Sequence, residues 1–220
     1  MNASGVHIDS SDPQHRIRSV ATKAAILGGL LFLLGTALHP ARDGHGVAEA
    51  GKLYGITHDL QAIGLLFQVV AIAGLLALAS PISSRHATAI YTALIGTLSW
   101  FALIVYDGSH NPAIARYAPD LVHTPEDLEI GGAILVMPAL VLFPIGYVVL
   151  AVALARRGMR IMGILLGFGA VTYVIGGLLV FVIGPHSTLV QIVEVVGAVP
   201  YALGFIVLGS VMRAGSPALR

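Results

Sequence analysis

The chain has no cysteine. That excludes disulfides, thiolate metal sites, thiol nucleophiles and covalently attached c-type haem together. Charge is scarce too: 10% of the 220 residues are Asp, Glu, Lys or Arg, against about 25% in soluble domains. A soluble globule does not fit that composition. The net charge of +1 gives no reason to expect nucleic acid as a partner. Chemical signatures are missing as well. There is no phosphate-binding Gly-rich loop, no His-Glu-x-x-His, no Gly-x-Ser-x-Gly and no dinucleotide fingerprint.

What is present is apolar length and histidine. Hydrophobic residues make up 56% of the chain, and nine histidines stand among few other polar groups. The apolar runs are continuous, which predicts membrane-spanning helices and not the short alternating strands of a barrel. The reading is an all-α polytopic bundle of six spans arranged as three hairpins. Residues 1–19 form a polar tail, 20–212 the transmembrane domain and 213–220 a second tail. The first span covers 24–38, extended backward past Lys23, whose ammonium can snorkel to the interface. No small-x-small cleavage site follows Leu38, so this span is expected to be a retained anchor. Further spans are expected at 58–80, 87–106, 129–154 (with Pro138 and Pro144), from the arginine turn to 183, and at 188–212. Residues 40–57 and 107–128 read as loops. Gly163 and Gly167 in span five, with Gly197 and Gly204 in span six, have the spacing that lets helix backbones approach closely.

Basic residues set the expected orientation. Arg16, Arg18, Lys23, Arg85, Arg156, Arg157, Arg160, Arg213 and Arg220 fall on one side, and only Arg42, Lys52 and Arg116 on the other. The positive-inside rule then puts both termini in the cytoplasm of a cell whose inner or plasma membrane holds the protein.

The candidate site begins with Glu194, about two turns inside the last span. A carboxylate near mid-span costs about 2.5 kcal/mol or more to insert, so it faces protein or water and marks a candidate functional group. The helix ends on the same side carry His39, His110 and His186, and the returning helices begin with His58, Glu129 and Gln191. His58, Gln61 and Gln68 lie at i, i+3 and i+10 on one helix face, and Gln191 shares a face with Glu194. Tyr201, just after Pro200, is placed at the floor of the resulting pocket. The remaining histidines, His7, His15, His45, His86 and His123, read as loop or tail residues.

Two readings follow, with enzyme and non-enzyme both open. In the first, His39, His58, His110, His186, Glu129 and Glu194 converge to bind a divalent transition metal or haem b for redox or hydrolytic chemistry. Glu194 and His58 are then the catalytic pair, with Gln61, Gln68, Gln191 and Tyr201 lining the cofactor. In the second, the chain is an assembly factor or a small-solute or proton-pathway subunit, partnered by the bilayer and other membrane subunits. A lipid-modifying enzyme, with His58 or Glu194 as general base at headgroup level, is a third possibility. In every version Glu194 is expected to meet imidazole-bearing neighbours in an outward-opening recess.

Overall fold

The structure, a computed structural model, describes residues 12–79, 83–123 and 130–215. Among them there are seven α-helices and one 3-10 turn: α1 Pro13–Ala37, α2 Gly44–Ala50, α3 Lys52–Leu78, α4 Ser84–Ala115, the turn Pro119–Leu121, α5 Ile130–Arg156, α6 Arg160–Ile183 and α7 Thr188–Ala214. Every helix except α2 is long and apolar enough to cross a membrane. Their outward faces support that reading. Leu30, Ile63, Leu66, Ile95, Val141, Ile145, Ile164, Phe168, Ile192 and Val196 are all exposed, and an apolar belt of this kind suits acyl chains and not water. This is a multi-pass membrane protein.

Each long helix packs on its neighbours in sequence, and α7 returns against α1, so the six close into a ring. Small residues set the approach distances. A Cβ on Gly163 would lie 2.6 Å from the Ala151 carbonyl, and one on Gly204 2.7 Å from the Leu166 side chain. Gly167 sits against Ala151 and Gly197 against the backbone at Tyr173, so all four glycines singled out by spacing lie at helix contacts. Aromatic side chains fill the ring. Phe32 makes edge contacts with Tyr173 and Tyr201, at 4.9 and 5.2 Å, and Tyr147 meets Tyr201 at 5.0 Å.

Polar groups inside the ring are spent on holding helices together. Tyr201 donates to Gln68 Oε1 at 2.7 Å while the Gln68 amide donates to the Gly28 carbonyl at 3.1 Å, which ties α7, α3 and α1. Thr97 and Tyr147 share a hydrogen bond of 2.8 Å between α4 and α5. Beyond these, toward the end holding Arg85, Arg156, Arg157 and Arg160, buried Ile72, Leu75, Leu150, Leu166, Phe205, Leu208 and Met212 make an apolar plug.

The helix boundaries differ from expectation at both ends: α1 begins at Pro13, inside the expected tail, where the Asp12 side chain accepts from the Gln14 N–H, and the larger differences lie at the end that holds Glu194. Residues 44–50 form α2 within the expected loop, with Asp43 capping it by accepting from the Gly46 N–H at 3.1 Å. Gly44 packs directly on the Pro119 backbone, where no side chain would fit. The helix α3 begins at Lys52, and α4 continues nine residues past Tyr106, through Pro112, to Ala115. Hydropathy alone stops at Tyr106, because Asp107, His110 and Asn111 end the apolar run. Tertiary contacts carry the helix onward. Val47, Tyr54, Ala115 and Val122 form a second apolar cluster that caps this end of the bundle.

Candidate functional site

Beneath the cap lies a polar cluster assembled from five chain segments. Glu194, on the first turns of α7, is 3% exposed and forms an ion pair with Arg42 from the segment joining α1 to α2. Burial is the largest influence on Arg42 and disfavours its charge, but Glu194 with Tyr54, Tyr173 and Asp107 together outweigh it and raise the pKa. Two glycines make the room. The Glu194 side chain occupies the space that a Cβ on Gly176 would take, and His58 sits in the same way against Gly108 of α4.

His58 has a different partner. Its Nδ1–H donates to the Tyr54 carbonyl at 2.8 Å, and its Nε2 lies 2.9 Å from Asp107 Oδ2. With one ring proton used by the carbonyl, the Nε2–Asp107 hydrogen bond requires a second proton. The pair therefore holds it as imidazolium–carboxylate or as imidazole–carboxylic acid, an arrangement suited to proton transfer. The other oxygen of Asp107 meets the Tyr54 hydroxyl at 3.4 Å, and the Asn111 amide donates to both Asp107 and Tyr54.

His123 closes the cluster from the loop. Its backbone is left-handed, with φ 61°, a conformation uncommon outside glycine. Its ring holds it there, through Nδ1–H to the Arg42 carbonyl at 2.9 Å and Nε2 to Asn111 at 2.9 Å. Burial is the largest influence on His123 and lowers its affinity for a proton, yet the hydrogen bond and the charge of Asp107, 3.5 Å from Nε2, together raise its pKa. His39 behaves oppositely. Desolvation, aided by Arg42 and His58, pushes its pKa well below 6.5, so the ring is neutral. Its Nδ1–H donates to the Pro40 carbonyl at 2.7 Å, and its ring lies 4.8 Å from that of His58.

A cavity of about 90 Å³ adjoins this cluster, with room for several waters or a small organic group. Arg42, His58, Gln61, Asp107, His123 and Glu194 line its polar side, while Leu103, Val136, Leu140, Val180 and Phe181 line the other. Trp100 and Tyr173 stand between. Arg42 Nε, the Gln61 amide nitrogen and Trp100 Nε1 are buried donors without a hydrogen-bond partner among the described residues.

The residues expected from the sequence are distributed as follows. Glu194, His58 and Gln61 line one cavity, and His39 packs on His58. Glu194, however, is bonded to Arg42 and not to an imidazole, which corrects the expected pairing: guanidinium carries a permanent charge and a planar donor array that suit a buried carboxylate better. Gln68 and Tyr201 bond each other deeper in the ring, and the Gln191 amide donates to the Thr36 carbonyl at 2.7 Å, stapling α7 to the end of α1. His110 stacks on Tyr106 at 4.5 Å, and exposed His186 lies 3.4 Å from Asp43. Glu129 lies outside the described residues. Among the described residues no three His, Asp or Glu side chains are grouped as a metal site. The five described metal candidates, His39, His58, His110, His186 and Glu194, are therefore not grouped in one centre.

Arg42, Tyr54, Asp107, Asn111 and His123 were not identified by sequence reasoning. Asp107 and Asn111, one turn apart at the end of an apolar run, carried a usable signal. So did Arg42, a basic residue at the depth of Glu194 on the side poor in basic residues. No protein family, no curated protein and no solved structure matches this chain.

Proposed function

We propose that this multi-pass membrane protein binds a small molecule in the cavity beside Glu194. One observation carries the reading: three buried donors, on Arg42, Gln61 and Trp100, border the same cavity without protein acceptors. Buried polar groups are nearly always satisfied, and leaving a donor bare costs about 1–3 kcal/mol. A ligand supplying acceptors removes that cost. The Arg42–Glu194 and His58–Asp107 pairs frame it, and the second pair provides a proton donor or acceptor should the bound molecule react.

The binding reading is supported over a proton or solute pathway by the apolar plug from Ile72 to Met212, which leaves the buried polar groups as a pocket closed toward the arginine-rich end. It is supported over a transition metal or haem b because Asp107 is engaged by His58 and His123 and Glu194 by Arg42, and no three such side chains are grouped among the described residues. Metal analysis and a visible spectrum of the purified protein test that alternative directly. In the orientation set by the basic residues, the three helix hairpins open the Glu194 end outward and leave both termini in the cytoplasm. The cysteine-free chain suits single-cysteine labelling. A cysteine at Tyr117 reacts with an impermeant maleimide added outside intact cells, and one at Ser83 does not; the reverse pattern overturns the orientation.

Gly177 offers a direct test of binding. A Cβ there meets nothing nearer than the Glu194 carboxylate at 3.8 Å, so Gly177→Leu fills the cavity without displacing backbone. Organic extracts of gently purified wild type are expected to contain a small molecule that is missing from the folded Gly177→Leu protein. Identical extracts would count against binding.

A further inference from the structure

The geometry points to a bilayer-dissolved molecule carrying a carbonyl acceptor, a ketone or an ester, which reaches this cavity sideways between the helices; the inference rests on the ligand-binding reading above. Three observations support it. The first is the cap. The cluster of Val47, Tyr54, Ala115 and Val122 lies over the end of the bundle, and His123 bonded to the Arg42 carbonyl and to Asn111 ties the loop down. Beneath it Tyr54 is 0% and Asn111 2% exposed, so among the described residues the cap packs closely over part of the cluster, while Asp107 keeps 21% of its side chain exposed.

The second is the opposite wall. It is built wholly of apolar side chains from α4, α5 and α6, and among them Phe181 is 46% exposed on the outside of the bundle while also lining the cavity. Val182 beside it in α6, and Ile134 and Met137 of α5, are also exposed apolar side chains. Phe181 therefore separates the cavity from the acyl chains by a single side chain.

The third is the charge and hydrogen-bond inventory. The free groups that border the cavity are donors, on Arg42, Gln61 and Trp100, whereas the unpartnered His39 Nε2 does not line it, so the ligand must accept. Arg42 is already neutralised by Glu194, and His58 and His123 face Asp107, so no unpaired positive charge is left to hold an anion. A neutral oxygen acceptor on an apolar body satisfies all of these conditions. The flat rings of Trp100 and Tyr173 lie beside the donors, where the apolar part adjoining the carbonyl would rest.

Trp100 is the only tryptophan in the chain and so a built-in reporter. The full-length protein is placed in phosphatidylcholine nanodiscs, and its fluorescence is titrated with the methyl ester of doxyl-stearic acid, with doxyl-nonadecane, and with aqueous iodide. The ester is expected to quench saturably, about threefold or more effectively than the alkane at equal membrane fraction, the preference that one or two added hydrogen bonds give. Iodide is expected to have little effect. Gln61→Leu brings the ester down to the alkane level and leaves alkane quenching unchanged. Should that variant not fold, Gly177→Leu abolishes the saturable component in its place. Stronger quenching by iodide than by the ester overturns lateral access, and equal quenching by ester and alkane overturns the carbonyl acceptor. A water-soluble molecule in the wild-type extract sinks this inference and leaves the binding reading intact, whereas identical wild-type and Gly177→Leu extracts sink both.

Discussion

The two ends of the helical ring use burial in opposite ways. At the arginine-rich end Leu75, Leu150, Leu166, Phe205 and Leu208 interlock with no more than 3% exposure. At the Glu194 end a volume likewise buried, with no more than 9% exposure, contains Arg42, His58, Asn111 and Glu194, and a cavity remains among them. An apolar core of packed side chains is stable without specific partners. A buried charged cluster holds together only while each member has its partner, and then any one loss exposes another. The packed end serves as the frame, and the polar end has the features of a site.

Single substitutions should separate the ends most sharply at the ion pair. Arg42→Met or Glu194→Leu alone leaves a bare buried charge and should cost about 3–5 kcal/mol, while the double variant recovers most of it. Unfolding titrations of the four proteins in mild detergent measure this. Recovery absent from the double variant would mean that the two groups do not act as a pair. Phe205→Ala, at the packed end, costs a comparable ~3–5 kcal/mol through its cavity but is not rescued by any change near Glu194.

A smaller effect comes from the seats of the two acidic pairs. Gly108→Ala and Gly176→Ala push on His58 and on Glu194 and are expected to lose about 1–3 kcal/mol by overpacking. A tryptophan emission shift is expected for Gly176→Ala, since its neighbour Glu194 borders the same cavity as Trp100. An unchanged melting temperature for both variants would show that the polar end is looser than its packing suggests.

The smallest difference is in pH response. His39 has a folded pKa below its ordinary 6.5, by desolvation first and then by Arg42 and His58, so the unfolded chain binds the proton more readily. Its contribution is complete above about pH 6.5 and is lost as the pH falls below it. His123 has the opposite sign: its raised pKa contributes below its ordinary value and is lost as the pH rises through the folded one. His39→Asn should therefore flatten the acid side of the stability curve, and His123→Asn should flatten the near-neutral side. Melting temperatures from pH 5 to 8 check both, and if His39→Asn leaves the acid slope as it was, another group causes it.

Much of the frame was legible because lipid imposes a simple rule: every span is one apolar run. The run from 188 to 212 corresponds to α7, and the glycines at 163, 167, 197 and 204 lie at helix contacts as their spacing implied. The same rule failed at α4. Its last nine residues carry Asp107, His110 and Asn111, and hydropathy reads such residues as loop although tertiary partners keep them helical and cover Asn111. Glu194 and His58 stood out for the same reason that makes them costly, as ionisable groups inside or beside a span.

By itself, then, the order of residues determined a membrane bundle of six long helices and pointed to an acid and an imidazole near one end, because hydropathy and helical period are local properties. Which group faces which was decided only in three dimensions. Arg42 lies 152 residues before Glu194, and Asp107 lies 49 after His58. Nothing local in the chain encodes those separations; they follow from the closing of α7 onto α1 and the extension of α4 beneath the cap.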